Sequence, residues 1–367
     1  MRKSVGVITM HRPLSYGSAL QSYATIKAIH KLGYNAEIID YKYPNDFHVL
    51  SKKPSVIYTI LFFIQNLILG FPNKKKNNKF KKFYNRFYKT SRFYSSYEDL
   101  VNNPPLYDIY VTGSDQVWNT NFTKGDMAFL LGFAPQSAVK ISYSASFAHS
   151  QLDQSYHEIF KKQLLKYQYI TVREESGVDI INNLIGKSAL HVCDPTVLLS
   201  REEWNEIADT STVNVKKKYL LVFMLCYSFN PYPQARSIIH KLSNELNLDV
   251  IYLDGIKSDY FEKRSKVIKC AGPMDFIHLI RNADYVITDS FHGTVFSALY
   301  NKPFSSIVKN DNSDSRVKSF LKRIGAEEYA LAYNSSTVTV NKPLINSDIN
   351  DFREKSLNIL REGLSYR

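Results

Sequence analysis

The most constraining feature of the sequence is the regular alternation of short apolar, β-branched runs with amphipathic stretches, joined by polar turns. Strands buried on both faces read as continuous apolar runs, and helices between them keep successive strands parallel. The opening follows this rule: strand Ser4 to Met10, helix Gly17 to Leu32 with Gly33 as its stop, strand Ala36 to Tyr41. Alternation resumes at strand Tyr107 to Thr112, strand Lys140 to Ser144, helix Gln151 to Leu165, strand Tyr169 to Arg173, helix Ser176 to Ile185 and strand Ala189 to Val192. Asp194-Pro195-Thr196 closes this first series.

A second series starts at strand Tyr219 to Leu225. It continues through helix Pro233 to Leu246, strand Asp249 to Leu253, helix Pro273 to Arg281, strand Tyr285 to Thr288, helix Gly293 to Tyr300 and strand Ser305 to Val308. The chain closes with a helix from about Ile349 to Leu364. Two βαβ series joined near residue 200 predict an α/β protein with two Rossmann-like domains, 1–200 and 201–367, facing across a cleft. A length of 367 residues agrees with two domains. The last helix is expected to pack back on the N-terminal domain.

Residues 42–106 interrupt the first series. Val56 to Leu69 is an apolar run of 14 residues holding Gln65 and Asn66, short for a membrane span of about 20 residues. Phe80, Phe83, Tyr84, Phe87 and Tyr88 then fall at helical spacing and predict an aromatic stripe with a lysine-rich back. Nine basic residues and no acidic one lie between Lys74 and Arg92, and they account for most of the net charge of +13. A local patch has a local explanation. Lysine with interleaved aromatics suits an anionic membrane surface or a nucleic acid. Aromatics confined to one helical face instead pack inward and leave a solvated lysine rim, which weighs against nucleic acid.

Three cysteines without a C-x-x-C give neither a disulfide framework nor a zinc site, and they point to a reducing, cytoplasmic compartment. Met1-Arg2-Lys3 runs straight into a strand, with no apolar region or cleavage site of a signal peptide between them. Docking of the basic run on lipid would place the protein at the inner face of the plasma membrane.

Candidate site residues gather at the carboxyl ends of strands, where open α/β sheets bind ligands. The first turn, Ser15-Tyr16-Gly17-Ser18, has a single glycine and is no dinucleotide fingerprint, which leaves an anion site or a tight turn. Gly113-Ser114-Asp115-Gln116-Val117-Trp118-Asn119 follows a strand with hydrogen-bonding groups and an indole, suited to a sugar or to a capped turn. Ser142 to His149 is rich in small hydroxyl residues. Arg173 ends a strand and can grip an anion through paired donors, or pair with Glu174 or Glu175. The strongest constellation is Thr288-Asp289-Ser290-Phe291-His292-Gly293-Thr294. It holds a histidine, the proton shuttle of neutral pH, at a strand-to-helix junction with Asp289 as its acidic neighbour. Arg316, with Lys309 and Lys318, follows the last strand.

Taken in order, the Tyr16-Gly17 turn through Gln21, Gly113 to Asn119, Ser142 to Ser146, Arg173-Glu174, Asp194-Pro195-Thr196, Gly272-Pro273 and Asp289 to Gly293 resemble the polysaccharide pyruvyl transferases. The resemblance implies a fold like the GT-B glycosyltransferases. It also implies transfer of a pyruvyl group from phosphoenolpyruvate onto two hydroxyls of a sugar, giving a cyclic ketal and phosphate. By position, it makes His292 catalytic and gives Arg173 and Arg316 to the donor. Together with the reading of the residues themselves, Asp289 is expected to be catalytic as the acidic neighbour of His292, Ser290, Gly293 and Thr294 are expected at the donor, and Tyr16, Gly17, Ser114, Asp115, Gln116, Trp118 and Asn119 at the acceptor. The acceptor side is then the N-terminal domain and the donor side the C-terminal one. The resemblance leaves the acceptor sugar open between lipid-linked and nucleotide-linked forms; no cofactor or metal is called for. Relatives carry a lysine where Arg316 stands. They carry arginine and leucine before the histidine where this chain has Ser290 and Phe291, so another cation serves the donor or the donor binds differently. The alternatives are a GT-B glycosyltransferase with a nucleotide-sugar donor, or a membrane-surface or nucleic-acid binder.

Overall fold

The computed structural model describes residues 2–42, 72–227, 229–232, 234–254, 264–309, 315–335, 337–344 and 348–366. The apolar run Val56 to Leu69 lies outside these residues, as does the expected helix start at Pro233. Thirteen strands are described, β1 Ser4–Ile8, β2 Asn35–Tyr41, β3 Thr90–Tyr94, β4 Ile109–Thr112, β5 Val139–Ser142, β6 Thr171–Val172, β7 Leu190–His191, β8 Tyr219–Phe223, β9 Asp249–Leu253, β10 Ser265–Ile268, β11 Tyr285–Thr288, β12 Phe304–Val308 and β13 Ala330–Ala332.

The first sheet has the order β3-β2-β1-β4-β5, all parallel, and single bridges from Ile141 to Tyr169 and from Ala145 to Val172 carry β6 and β7 alongside. The second sheet runs β10-β9-β8-β11-β12-β13, also parallel. Counted from its own first strand, the first sheet follows the order 3-2-1-4-5 and the second the full 3-2-1-4-5-6 of a Rossmann-like fold. The reversal of direction therefore falls between β1 and β4 in one sheet and between β8 and β11 in the other.

The central strands are buried throughout: β4 along its length, as are β8, β11 and β12, with Thr112, Thr288, Ser305 and Ser306 the hydroxyl residues buried among their apolar ones. Strands the sequence did not announce are the edges β3, β10 and β13. Their burial is partial, and Thr90-Ser91-Arg92 is polar because one side faces water.

The largest apolar core runs through both halves, from Val5 and Leu20 to Phe276 and Phe296. The contact is aromatic. Tyr16 opens the helix Tyr16–Lys31 and stacks on Phe276 at 4.9 Å between ring centres, with Phe80 and Phe223 at 5.6 Å. Trp204, on the helix Arg201–Ala208, packs between Tyr23 and Phe296 and donates its Nε1–H to Thr196 O. An apolar seam of this kind binds two halves more firmly than the polar contacts usual between domains. The helix Ile349–Leu364 lies against the first half: Tyr34 donates to Leu364 O at 3.0 Å, and Ser356 Oγ accepts the Cys193 N–H at 2.9 Å.

Candidate functional site

The carboxyl ends of β1, β4, β5, β6 and β7 converge on the helix Phe291–Leu299, which follows β11 of the other sheet. Ser290 starts that helix as its N-cap, its Oγ accepting the Gly293 N–H at 3.3 Å. The cap leaves His292 in the first turn, pointing out of its own half and into the other. There the imidazole lies on Gly17, with no room for a Cβ at residue 17. Its Nε2 stands 3.5 Å from Asp194 Oδ2, an ion-pair distance without the alignment of a hydrogen bond. The His292 side chain is 11% exposed and that of Asp194 is not exposed at all.

Asp194 is the N-cap of the short helix Pro195–Leu198. Its Oδ1 accepts from Thr196 N at 2.9 Å and from Thr196 Oγ1 at 2.7 Å. Its Oδ2 accepts from Arg173 Nη1 at 3.0 Å and from Ser114 Oγ at 3.3 Å. Burial alone would raise this carboxyl, but the His292 and Arg173 charges beside it hold it well below the usual carboxylate range. Arg173 is buried too. Its Nε donates to Glu174 Oε1 at 3.3 Å, its guanidinium lies 4.7 Å from the Phe291 ring centre, and its Nη2 makes no hydrogen bond. Burial opposes the Arg173 charge, yet Glu174, Asp194 and Asp115 outweigh it and raise its affinity for the proton.

Backbone geometry supports the same focus. Asp115 and Ser144, just past β4 and β5, both take left-handed conformations, with φ of 73° and 57°. Such conformations are costly in non-glycine residues and gather at functional sites. Asp115 Oδ2 accepts from Ser18 Oγ at 2.6 Å, which ties the β4 turn to the helix that bears Gly17. Ser146 Oγ donates to Glu174 Oε1.

The structure thus gathers His292, Arg173, Gly17, Ser114 and Asp115, and brings to them Asp194, Glu174 and Ser18, which the sequence showed only within neighbouring segments and without a site role. Asp-Pro-Thr after a strand is also the signature of a helix cap, a role that Asp194 Oδ1 fills.

Several expected residues serve elsewhere. Asp289 is not the carboxylate beside His292: Oδ1 accepts the Leu225 N–H at 2.6 Å and Oδ2 the Cys226 N–H at 2.8 Å, so it pins the turn after β8. Trp118 presents no indole to the cleft; it is fully buried and donates to Phe129 O at 3.1 Å. Tyr16 is spent on the aromatic seam. Asn119 caps the turn Thr120–Thr123, and its Nδ2 donates to Gln116 Oε1 at 2.8 Å; Gln116 is the part-exposed member of that loop. Thr294 Oγ1 is shared between Ser290 O at 3.1 Å and Ser306 Oγ at 2.6 Å. Gly293 packs directly on the Thr288 side chain. Thr294 and Gly293, with the N-cap Ser290, shape the helix start rather than present side chains to a ligand.

Arg316 belongs to the helix Ser315–Arg323, which reaches the first half where Ser319 Oγ accepts the Glu175 N–H at 3.3 Å. Phe320, one turn beyond Arg316, meets the Phe291 ring at 6.0 Å, and Phe291 is the ring under Arg173. Burial and the Arg316 charge together lower the His149 imidazole below its usual value, which places Arg316 near His149 in the loop after β5.

The basic run forms the helix Pro72–Phe87, and its charges divide by face. Phe80 and Phe83 are fully buried. Beside them, Lys76 Nζ reaches Asp254 Oδ2 at 2.7 Å and Lys79 Nζ reaches Asp275 Oδ2 at 2.6 Å, both in the second half. Lys74, Lys75, Lys81 and Lys82 are exposed. The patch is therefore in part a tie between the halves. No helix among the described residues is long and apolar enough to cross a membrane.

Residues 16–311 match the family model described as polysaccharide pyruvyl transferase. No curated protein matches the sequence. Among solved structures, the fold is similar to a UDP-GlcNAc 2-epimerase of Methanocaldococcus jannaschii, at 14% identity, TM-score 0.52, covering 100% of this chain and 94% of that one. It is likewise similar to a putative UDP-N-acetylglucosamine 2-epimerase of Listeria monocytogenes, at 10% identity, TM-score 0.52, covering 99% and 89%. At these identities the likeness is one of GT-B-type fold alone.

Proposed function

Because the chain belongs to the polysaccharide pyruvyl transferase family, we propose that it moves a pyruvyl group from phosphoenolpyruvate onto two hydroxyls of one sugar, closing a cyclic ketal and releasing phosphate. The observation that supports this reading best is the pairing of a cross-cleft histidine with a buried arginine that keeps one N–H group unengaged.

Phosphoenolpyruvate carries a carboxylate and a phosphate, and its C3 must gain a proton to become a methyl group. In this reading His292 delivers that proton. The first sugar hydroxyl bonds to C2 and gives up its proton. The second bonds to C2 as the C2–O bond to phosphate breaks, and its proton leaves with phosphate. Of the two hydroxyl protons, one is thus balanced by the new methyl hydrogen. Arg173, through Nη2, holds one anionic group of the donor and Arg316 the other. The start of the helix Phe291–Leu299 favours negative charge at the same place. Three carboxyl groups, Asp115, Glu174 and Asp194, surround Arg173. The donor therefore needs the cations of the second half, Arg316 with Lys309 or Lys318, and these replace the arginine that relatives carry before the histidine. On the acceptor side, Gln116, Ser114 and Asp115 present polar groups, while Tyr16, Trp118 and Asn119 fix the wall behind them.

A nucleotide-sugar donor would call for a carboxylate free to take a ribose at the end of a second-half strand. Asp289 instead has both oxygens on the Leu225 and Cys226 N–H groups. The exposed lysine face of the helix Pro72–Phe87 suits an anionic membrane, and hence a lipid-linked acceptor met from the cytoplasmic side.

The test is incubation with phosphoenolpyruvate and galactose- or mannose-containing acceptors while phosphate is followed. Acceptor-dependent phosphate release, with a new ketal methyl signal on the sugar, is expected. Turnover of a nucleotide sugar, with phosphoenolpyruvate inert, would overturn the proposal.

A further inference from the structure

Asp194 Oδ2 is a single acceptor facing three donors from three places: Arg173 Nη1 at 3.0 Å, Ser114 Oγ at 3.3 Å and, from the other half, His292 Nε2 at 3.5 Å. Its other oxygen is committed to Thr196. The carboxylate cannot turn away, since both ends are held and it has no exposure to water. On the opposite side, the imidazole is stopped by the Gly17 backbone. The charged groups facing this contact are Arg173 and Glu174 from the end of β6, Asp115 from the end of β4, and Asp194 itself. Asp289, in the turn just before the histidine's helix, is held by the Leu225 and Cys226 N–H groups.

We infer that Asp194 is the positioning residue of His292: it reaches across the cleft from the end of β7 to fix the imidazole. This role rests on the pyruvyl-transfer reading of the same site. Because Asp194 and His292 belong to different halves, the histidine is held only while the two halves are together.

The experiment is a double-mutant cycle of Asp194→Asn with His292→Ala, read by steady-state kinetics with phosphoenolpyruvate and by thermal melts. Asparagine keeps the oxygen that caps Thr196 and replaces Oδ2 by a donor. In the wild-type background kcat falls by about 10²-fold while the acceptor KM stays close to wild type. In the His292→Ala background the same substitution costs little further kcat, because the group it positions is gone. A purely structural role for Asp194 would lower thermal stability and slow both backgrounds alike, which overturns the inference. Should Asp194→Asn fail to fold, Asp194→Glu gives the same test by keeping the charge and displacing the oxygen, and an equal loss in both backgrounds again overturns it. Coupled melts of Asp194→Asn and His292→Ala with no phosphoenolpyruvate turnover even in wild type would retain the Asp194–His292 contact and discard the pyruvyl-transfer reading.

Discussion

The imidazole of His292 rests on the backbone of Gly17, so a residue of the second sheet's helix occupies the space where any other amino acid at position 17 would carry its side chain. Glycine is required there by this close approach and not by backbone conformation, since its φ is not in the left-handed region.

Gly17→Ala is expected to displace the ring and to cost about 1–3 kcal/mol of stability through overpacking. In a His292→Ala background the same substitution should cost much less, because the opposing ring is gone. Thermal melts of the two single variants and the double variant measure the coupling. Equal costs in both backgrounds would show that the two residues do not meet.

His292→Ala should fold normally, since its neighbours Ser290 and Thr294 hold the helix start without it. Turnover of phosphoenolpyruvate should fall by about 10²-fold or more, the size of a lost general acid–base. Phosphate release by a folded variant at near wild-type rate would remove His292 from proton transfer.

The two arginines should respond differently to replacement by lysine. Arg316→Lys keeps charge and loses the paired donors, so the phosphoenolpyruvate requirement should rise by an amount corresponding to about 1.5–3 kcal/mol, with stability little changed. Arg173→Lys should weaken donor use and also destabilise the fold by about 1–3 kcal/mol, because Asp194 and Glu174 lose buried partners. Steady-state kinetics and melting curves separate the cases. A destabilised Arg173→Lys with unchanged donor dependence would confine Arg173 to holding Asp194.

Stability should depend on pH through Asp194. Its folded-state value is depressed, so the stabilisation it contributes is fully present above the unfolded carboxylate range near about 3.9. It is lost as pH falls below that range toward the folded value. Denaturant melts between pH 7 and pH 3 should show the gap between wild type and Asp194→Asn narrowing below about pH 4. A gap that stays constant to pH 3 would mean that the cap to Thr196, and not the charge, carries the effect.

The lysine face makes a separate prediction. Changing Lys74, Lys75, Lys81 and Lys82 to Gln should reduce binding to anionic vesicles, and wild-type binding should weaken steeply with salt. Lys79→Met should leave vesicle binding in place and lower the melting temperature, since Asp275 is buried and loses its cation. Co-sedimentation in 50 and 300 mM salt decides. Binding that ignores both salt and the four substitutions would leave the face as a solvated rim.

The fold was legible wherever burial is two-sided. β1, β4, β8, β11 and β12 are near-continuous apolar runs, and each stood out in the sequence. The strands β3, β10 and β13 did not, because an edge strand faces water on one side and carries polar residues there. At the site, His292 and Arg173 were visible as chemistry-bearing residues at strand ends. Glu174 was visible as a partner of Arg173, but the carboxylate that Arg173 shares with His292 was not, because that partnership is set by which loops meet in space. Asp289 is close to His292 in sequence, yet the helix turn sends the two side chains apart, and Asp194, 98 positions away, takes the place beside the imidazole. Trp118 misled for a related reason: an indole in a polar loop suggests a sugar platform, but its N–H finds Phe129 O inside the core.

The helix Pro72–Phe87 enters the chain between two strands of the first sheet, and its inner lysines grip carboxylates of the second. The halves are thus fastened by the covalent crossing near residue 200, by the last helix returning to the first half, by the aromatic seam and by this ionic strap. So many fastenings leave a jaw little room to swing, and a ligand of His292 is expected to enter by the parting of loops more than by a wide gape. The strap is mostly sheltered from water, so dissolved ions screen it far less than they screen the exposed lysines on the outer face of the same helix.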